Sequence, residues 1–75
     1  MKKNPYIQCG EMEESLNRNQ RDVLDYFMYN YKDDSFGVFE LILTIKYIIK
    51  NYDGQIKMSD DEIKMFWSQP KDWQL

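Results

Sequence analysis

The stretch Phe36 to Tyr52, FGVFELILTIKYIIKNY, is the only long apolar run in the chain, and everything else must pack around it. Read as a helix, it places Val38, Leu41, Ile42, Ile45, Ile48, Ile49 and Tyr52 on one face, at the i, i+3, i+4, i+7 spacing of a stripe that faces a core. Phe36, Phe39, Leu43 and Tyr47 form a second apolar strip beside Lys46 and Lys50, which leaves Glu40, Thr44 and Asn51 as a narrow polar face. A helix apolar on two sides needs cover on two sides. The same residues also fit a strand, because Phe39, Leu41, Leu43, Ile45 and Tyr47 alternate with Glu40, Thr44 and Lys46 and β-branched residues are frequent. Ile42 and Ile48 break that alternation, whereas every position of the helical stripe is filled. The stop signal from Asn51 to Gly54 points the same way, so helix is the reading taken.

The flanking segments divide around this helix. Residues 1–10 contain Pro5 and Gly10, lack a period and read as a flexible N-terminal arm, with 11–75 as a single small helical domain. Glu11 to Ser15 is an acidic lead-in or one extra helical turn. A first helix is expected from about Asn19 to Lys32, capped by Asn19, with Val23, Leu24, Phe27, Met28 and Tyr31 on its apolar face. Asp33, Asp34 and Ser35 make a short link whose oxygens can cap the next helix, and so short a link makes the two helices antiparallel neighbours. After Gly54 comes an extended piece, Gln55 to Met58. Ser59 and Glu62 then have capping-box spacing, opening a third helix over about Asp60 to Ser68 with Ile63, Phe66 and Trp67 as its apolar face. Pro70 ends it, and the tail beyond carries Trp73 and Leu75. The expected fold is therefore all-α: a small three-helix domain made of an antiparallel helix pair plus a short C-terminal helix.

Size and composition narrow the function. A chain of 75 residues is one domain at most, and it buries only about 60% of its unfolded surface, so a second copy or a bound partner would help to stabilise it. The net charge of −3, with cations and acids interspersed, offers no electrostatic footprint for nucleic acid. There is no histidine and one cysteine, Cys9, which removes Ser-His-Asp and Cys-His chemistry, histidine metal ligation and an intrachain disulfide. Cys9 reads as a small side chain in a reducing compartment, with an interchain disulfide as the functional alternative. No apolar run follows Met1-Lys2-Lys3, and the stretch around Ile45 is interrupted by charges and too short to span a bilayer, so a cytoplasmic protein without membrane association is expected. Lys, Asn, Ile and Tyr supply 26 residues and alanine is missing, the mark of A/T-rich codon usage in a low-GC bacterium, its phages or its plasmids.

Four candidate sites emerge. Asn51, Asp53, Gly54, Ile56 and Asp60 fall at the third, fifth, sixth, eighth and twelfth positions of a calcium loop, and the stretch locally resembles an EF-hand. Its first position is Ile49, where that family places a carboxylate, and its twelfth is Asp60 rather than the longer Glu, so a helix stop followed by a capped helix explains the pattern without metal. The run Tyr47 to Ile63, YIIKNYDGQIKMSDDEI, with NQRDVLDYF at 19–27, resembles the helix-turn-helix of winged-helix regulators. That resemblance implies a nucleic-acid-associated transcriptional regulator. SQPKDWQL, which follows the second helix, is too short and too poor in cations for a recognition helix. The acid pairs Asp33-Asp34 and Asp60-Asp61 sit at expected helix starts, where capping accounts for them.

The fourth candidate is a protein-binding surface. Twelve aromatics exceed what so small a core needs, and large rigid side chains dominate interface energetics. The candidate partner or dimer contacts are Phe39, Leu43, Tyr47, Tyr29, Phe66, Trp67 and Trp73; the alternative for Trp67 and Trp73 is that they fold back over Phe39, Leu43 and Tyr47 as core. The function expected is thus a non-enzymatic accessory protein without catalytic, cofactor-binding or metal residues. It binds another protein or a second copy of itself, in the manner of a phage- or plasmid-type inhibitor or regulator of a host machinery. Nucleic acid ranks behind protein as its partner.

Overall fold

The computed structural model describes residues 4–68, which form four helices: α1 (Pro5–Ser15), α2 (Arg18–Asn30), α3 (Val38–Asn51) and α4 (Asp60–Ser68). The all-α class and the helix pair stand as expected. The fourth helix, α1, occupies most of what the sequence suggested was an arm. Its start is chemically ordinary: the Asn4 side chain accepts from the Tyr6 N–H at 2.8 Å, and Pro5 sits at the first helical position, where its missing N–H costs nothing. What hid α1 is the scatter of its apolar residues, for Tyr6 and Ile7 face solvent while Cys9 is buried. A helix without a stripe leaves no period to read.

The cap of α2 is also displaced from expectation. Asn17, not Asn19, is the N-cap: its Oδ1 accepts from the Gln20 N–H at 2.9 Å, and the Gln20 Oε1 accepts from the Asn17 N–H at 3.0 Å, a closed capping box. The same three residues reach across the bundle. Asn17 Nδ2 donates to the Asp53 carbonyl at 2.9 Å, Asn19 Nδ2 to the Gly54 carbonyl at 2.7 Å, and Gln20 Nε2 to the Tyr52 carbonyl at 2.8 Å. Three consecutive carbonyls just past α3 are thereby satisfied by three side-chain amides at the start of α2. Because the first turn of α2 meets the end of α3, the two helices run antiparallel.

Gly54 makes this junction sterically feasible. Helix α3 is ended by Tyr52 in an extended conformation rather than by Gly54, which lies three residues past the last helical residue; its φ of 80° is in the left-handed region, and a Cβ built on it would lie 2.3 Å from the Asn17 amide atoms. The segment Gln55 to Met58, expected to be extended, is a series of bends and coil, and no strand occurs among the described residues. The Tyr52 hydroxyl donates to the Ile56 carbonyl across it. Ser59 and Glu62 then form the expected capping box, with the Glu62 N–H on Ser59 Oγ at 3.3 Å and the Ser59 N–H on Glu62 Oε1 at 3.0 Å. Those contacts, backbone first, hold the Glu62 carboxyl below its ordinary pKa.

The link before α3 works differently from the capping role expected of it. Asp33 Oδ1 accepts from the N–H and the hydroxyl of Ser35, at 2.9 and 2.6 Å, so these residues build their own turn. The N-cap of α3 is Gly37, supported only by Glu40 Oε1 at 3.4 Å from the Gly37 N–H. Within α3, Ile42, Ile45 and Ile48 are buried as the stripe requires, while Ile49 at its edge is exposed. Thr44, placed on the polar face by sequence, is instead fully buried, with its hydroxyl donating to the Glu40 carbonyl at 2.7 Å. Back-bonding to the preceding turn lets threonine enter an apolar interior with its polar group satisfied.

The core joins all four helices: Cys9 of α1 and its C-cap Leu16, Val23, Leu24 and Phe27 of α2, the three isoleucines of α3, and Ile63 and Trp67 of α4. No helix is long and apolar enough to cross a membrane among the described residues. Gly54→Ala is expected to destabilise by about 1–3 kcal/mol, since it combines backbone strain with displacement of the Asn17 cap. Asn17→Ala should cost at least the roughly 1 kcal/mol of a lost cap. Urea denaturation followed by circular dichroism measures both; a change below about 0.5 kcal/mol for either would remove the junction from its structural role.

Candidate protein-docking surface

The second apolar strip of α3 divides in the folded molecule. Phe39 is 64% exposed and Leu43, one turn on, is 38% exposed, with Lys46 in solvent beside them. Tyr47, the next member, turns inward: its ring stacks on Trp67 at 5.8 Å between centroids and meets Phe66 edge-on at 5.2 Å. Trp67 itself is only 3% exposed, lies 4.6 Å from the Phe27 ring, and donates its indole N–H to the Val23 carbonyl at 3.1 Å. Of the two readings of Trp67, the structure therefore gives the core role, and not a surface anchor. Phe66 is half-buried in the same aromatic group.

Tyr29 projects from α2 with 90% of its surface exposed. Trp73 lies outside the described residues. The exposed part of the expected set is thus Phe39, Leu43 and Tyr29, and the fold-back cover expected of Trp67 reaches Tyr47 but leaves Phe39 open to solvent.

Sequence reasoning missed a cleft because it depends on α1. A cleft of about 490 Å³ lies between α1 and the corner where α2 passes into α3. Its walls are largely apolar, from Cys9, Met28, Phe36, Val38 and Leu41, with Glu13 and Lys32 at its polar edge. Gly10 forms part of the α1 wall, and a Cβ added there would meet nothing within 4 Å. Glycine inside a helix is destabilising by about 0.5–1 kcal/mol relative to alanine. Neither backbone conformation nor packing requires it at position 10. An isolated glycine inside a helix was the one signal available in the sequence.

Cys9 sits at the base of this cleft with its Sγ 3.9 Å from Glu13 Oε1, a long contact, and Glu13 also faces the Arg21 guanidinium at 3.8 Å. Burial first, then the charge and hydrogen bonding of Glu13, push the Cys9 thiol above its ordinary pKa. Cys9 is a free, buried thiol, 5% exposed, at the wall of the cleft.

The remaining candidates have structural explanations. In the calcium-like loop the Asp53 and Gly54 carbonyls accept from Asn17 and Asn19, and Asp53 Oδ1 accepts from the Gln55 N–H, so these oxygens already have partners. No cluster suited to a metal ion occurs among the described residues. Asp60 and Asp61 stand in the first turn of α4, where the helix dipole favours them, and Asp33 is held below the ordinary carboxylate range by the Ser35 hydroxyl and N–H. In the stretch with helix-turn-helix likeness, α4 turns Ile63 and Trp67 into the core. In comparisons with known proteins, no family model, no curated protein and no solved structure matches the chain.

Phe39→Ser is expected to leave stability within about 0.5 kcal/mol of the parent, as for an exposed position. Tyr47→Ser should lose about 1–3 kcal/mol with its aromatic contacts. Thermal unfolding of the two variants side by side separates them, and equal losses would mean that Phe39 is core. Cys9 supplies a pH-dependent readout: because its folded pKa is raised, the stability it contributes is present below the unfolded thiol pKa and lost as pH rises through the folded value. Iodoacetamide should accordingly alkylate Cys9 more slowly in the native protein than in urea at mildly alkaline pH; equal rates would place the thiol in solvent.

Proposed function

We propose that this chain is a non-enzymatic accessory protein that acts by docking onto another protein through the outward side of α3. The observation that carries the reading is the exposed pair Phe39 and Leu43, set on the central helix of the bundle with Lys46 alongside. A phenylalanine 64% exposed leaves most of its apolar surface in water, and side chains of this kind become favourable contacts when a partner covers them. Tyr47, one turn beyond Leu43, packs on Phe66 and Trp67, so the helix that presents the pair is held to α4 by aromatic packing. Tyr29 is a further exposed aromatic, on α2.

The biological role that suits such a chain is inhibition or regulation of a host machinery by a phage- or plasmid-type protein, an attribution supported by A/T-rich codon usage. Its setting would be the cytoplasm. A partner without strong charge selectivity is expected to bind with weak salt dependence, unlike a nucleic acid, whose phosphates release counterions.

The test is a tagged capture from a low-GC bacterial lysate, with and without nuclease, using the parent chain and the Phe39→Ser/Leu43→Ser variant in parallel. One protein recovered in near-stoichiometric amount, insensitive to nuclease and lost with the variant while the helical circular dichroism is retained, is the expected result. Recovery that the variant does not affect would remove the α3 surface from the interface. Recovery that nuclease abolishes would put a nucleic acid in the partner's place.

A further inference from the structure

We infer that the cleft between α1 and the α2–α3 corner is a second recognition site, and that its occupant is an acidic peptide segment of a partner protein. A large apolar side chain of that segment would enter the cleft, and a neighbouring carboxylate would pair with Lys32. The inference stands apart from the Phe39 and Leu43 surface, since the α3 residues that line the cleft, Val38 and Leu41, stand on a different face of that helix.

Three observations support it. The first is shape and chemistry: about 490 Å³ bounded by Cys9, Met28, Phe36, Val38 and Leu41 matches the size and apolar character of a site that receives one large side chain or a ligand of similar bulk. The second is Gly10. It forms part of the cleft wall, sits inside a helix where glycine is unfavourable, and has empty space where its Cβ would be. A larger residue at this lining position would have open space to occupy at the cleft wall, so the glycine leaves unfilled a space that helix stability alone would not preserve.

The third is charge. Two ionised groups border the cleft, and they differ in their surroundings. Glu13 faces Arg21 at 3.8 Å, whereas Lys32 has no ion pair among the described residues. An incoming carboxylate would find a cation without a counter-charge; an incoming cation would find a carboxylate already compensated. Burial of an apolar group with one oriented charge at its edge is the pattern by which helix and loop segments are recognised in grooves.

Gly10 also supplies the test, because Gly10→Leu should obstruct the cleft while favouring the helix. A random dodecapeptide display library is selected on the immobilised full chain, and the enriched peptides are titrated against the parent, Gly10→Leu and Lys32→Glu. The inference expects enrichment of peptides that combine a large apolar residue with Asp or Glu. Their affinity should fall about tenfold or more in both variants, while the thermal midpoint of Gly10→Leu is unchanged or raised. Peptides that bind Gly10→Leu as well as the parent would overturn it, as would selection of neutral or cationic sequences, or no selection at all. Gel filtration of the same proteins covers the remaining occupant: concentration-dependent dimers lost in Gly10→Leu would assign the cleft to a second copy of this chain instead. The Phe39→Ser/Leu43→Ser variant should bind the selected peptides normally, so failure here and failure of docking through α3 are separately visible.

Discussion

The structure depends most on the junction where the first turn of α2 meets the end of α3. Asn17, Asn19 and Gln20 present three amide donors to the carbonyls of Tyr52, Asp53 and Gly54. A helix end leaves carbonyls without intrahelical partners, and one facing another helix needs donors from that neighbour. At roughly 1 kcal/mol net for each bond, the three together are comparable to a substantial part of the roughly 4–11 kcal/mol total expected for a chain of this size. Asn17 and Gln20 also close the capping box of α2, so one cluster starts one helix, ends another and sets the chain direction toward α4. Gly54 is indispensable in this geometry because the Asn17 amide occupies the space a side chain would need.

α4 is fixed by a different device. Its short apolar face would be a weak basis for a helix by itself, since isolated helices below about 12–15 residues are marginal in water. The Ser59/Glu62 box starts it, and Trp67 then ties it to both longer helices, through Phe27 and the Val23 carbonyl on one side and Tyr47 on the other. A tryptophan buried this deeply needs a partner for its indole N–H, and the Val23 carbonyl provides it. The aromatic surplus noticed in the sequence is thus largely structural: a ring cluster takes the place of aliphatic bulk that a chain without alanine and with few leucines does not supply.

What the sequence revealed follows the strength of its periodic signals. The stripe of Ile42, Ile45 and Ile48 identified α3, and the box at Ser59 and Glu62 identified α4, because each combines a period or a cap with a plain chemical cause. α1 was not legible because its apolar residues point both inward and outward, and that omission concealed the cleft. The N-cap was misplaced by two residues because both Asn17 and Asn19 are suitable cap types; the pairing that decides between them is Gln20, three residues after Asn17. Polarity puts Thr44 on the narrow polar face of α3, a rule that fails when a hydroxyl can bond back to its own helix.

The same distinction separates core from surface in the strip Phe39, Leu43 and Tyr47. Spacing placed the three side chains together, but Tyr47 is drawn under Phe66 and Trp67, leaving two residues outside. Two side chains do not make an interface, since a stable one buries roughly 800 Å² on each partner. They can form its energetic centre, because a few large anchors carry most of the binding energy and their surroundings serve mainly to exclude water. The residues around Phe39 and Leu43 suit that second role: Lys46 can lay its aliphatic stem beside apolar neighbours while its ammonium stays hydrated. An anchor of this kind can be removed without unfolding the helix that presents it, since the packing that holds α3 lies on its other sides.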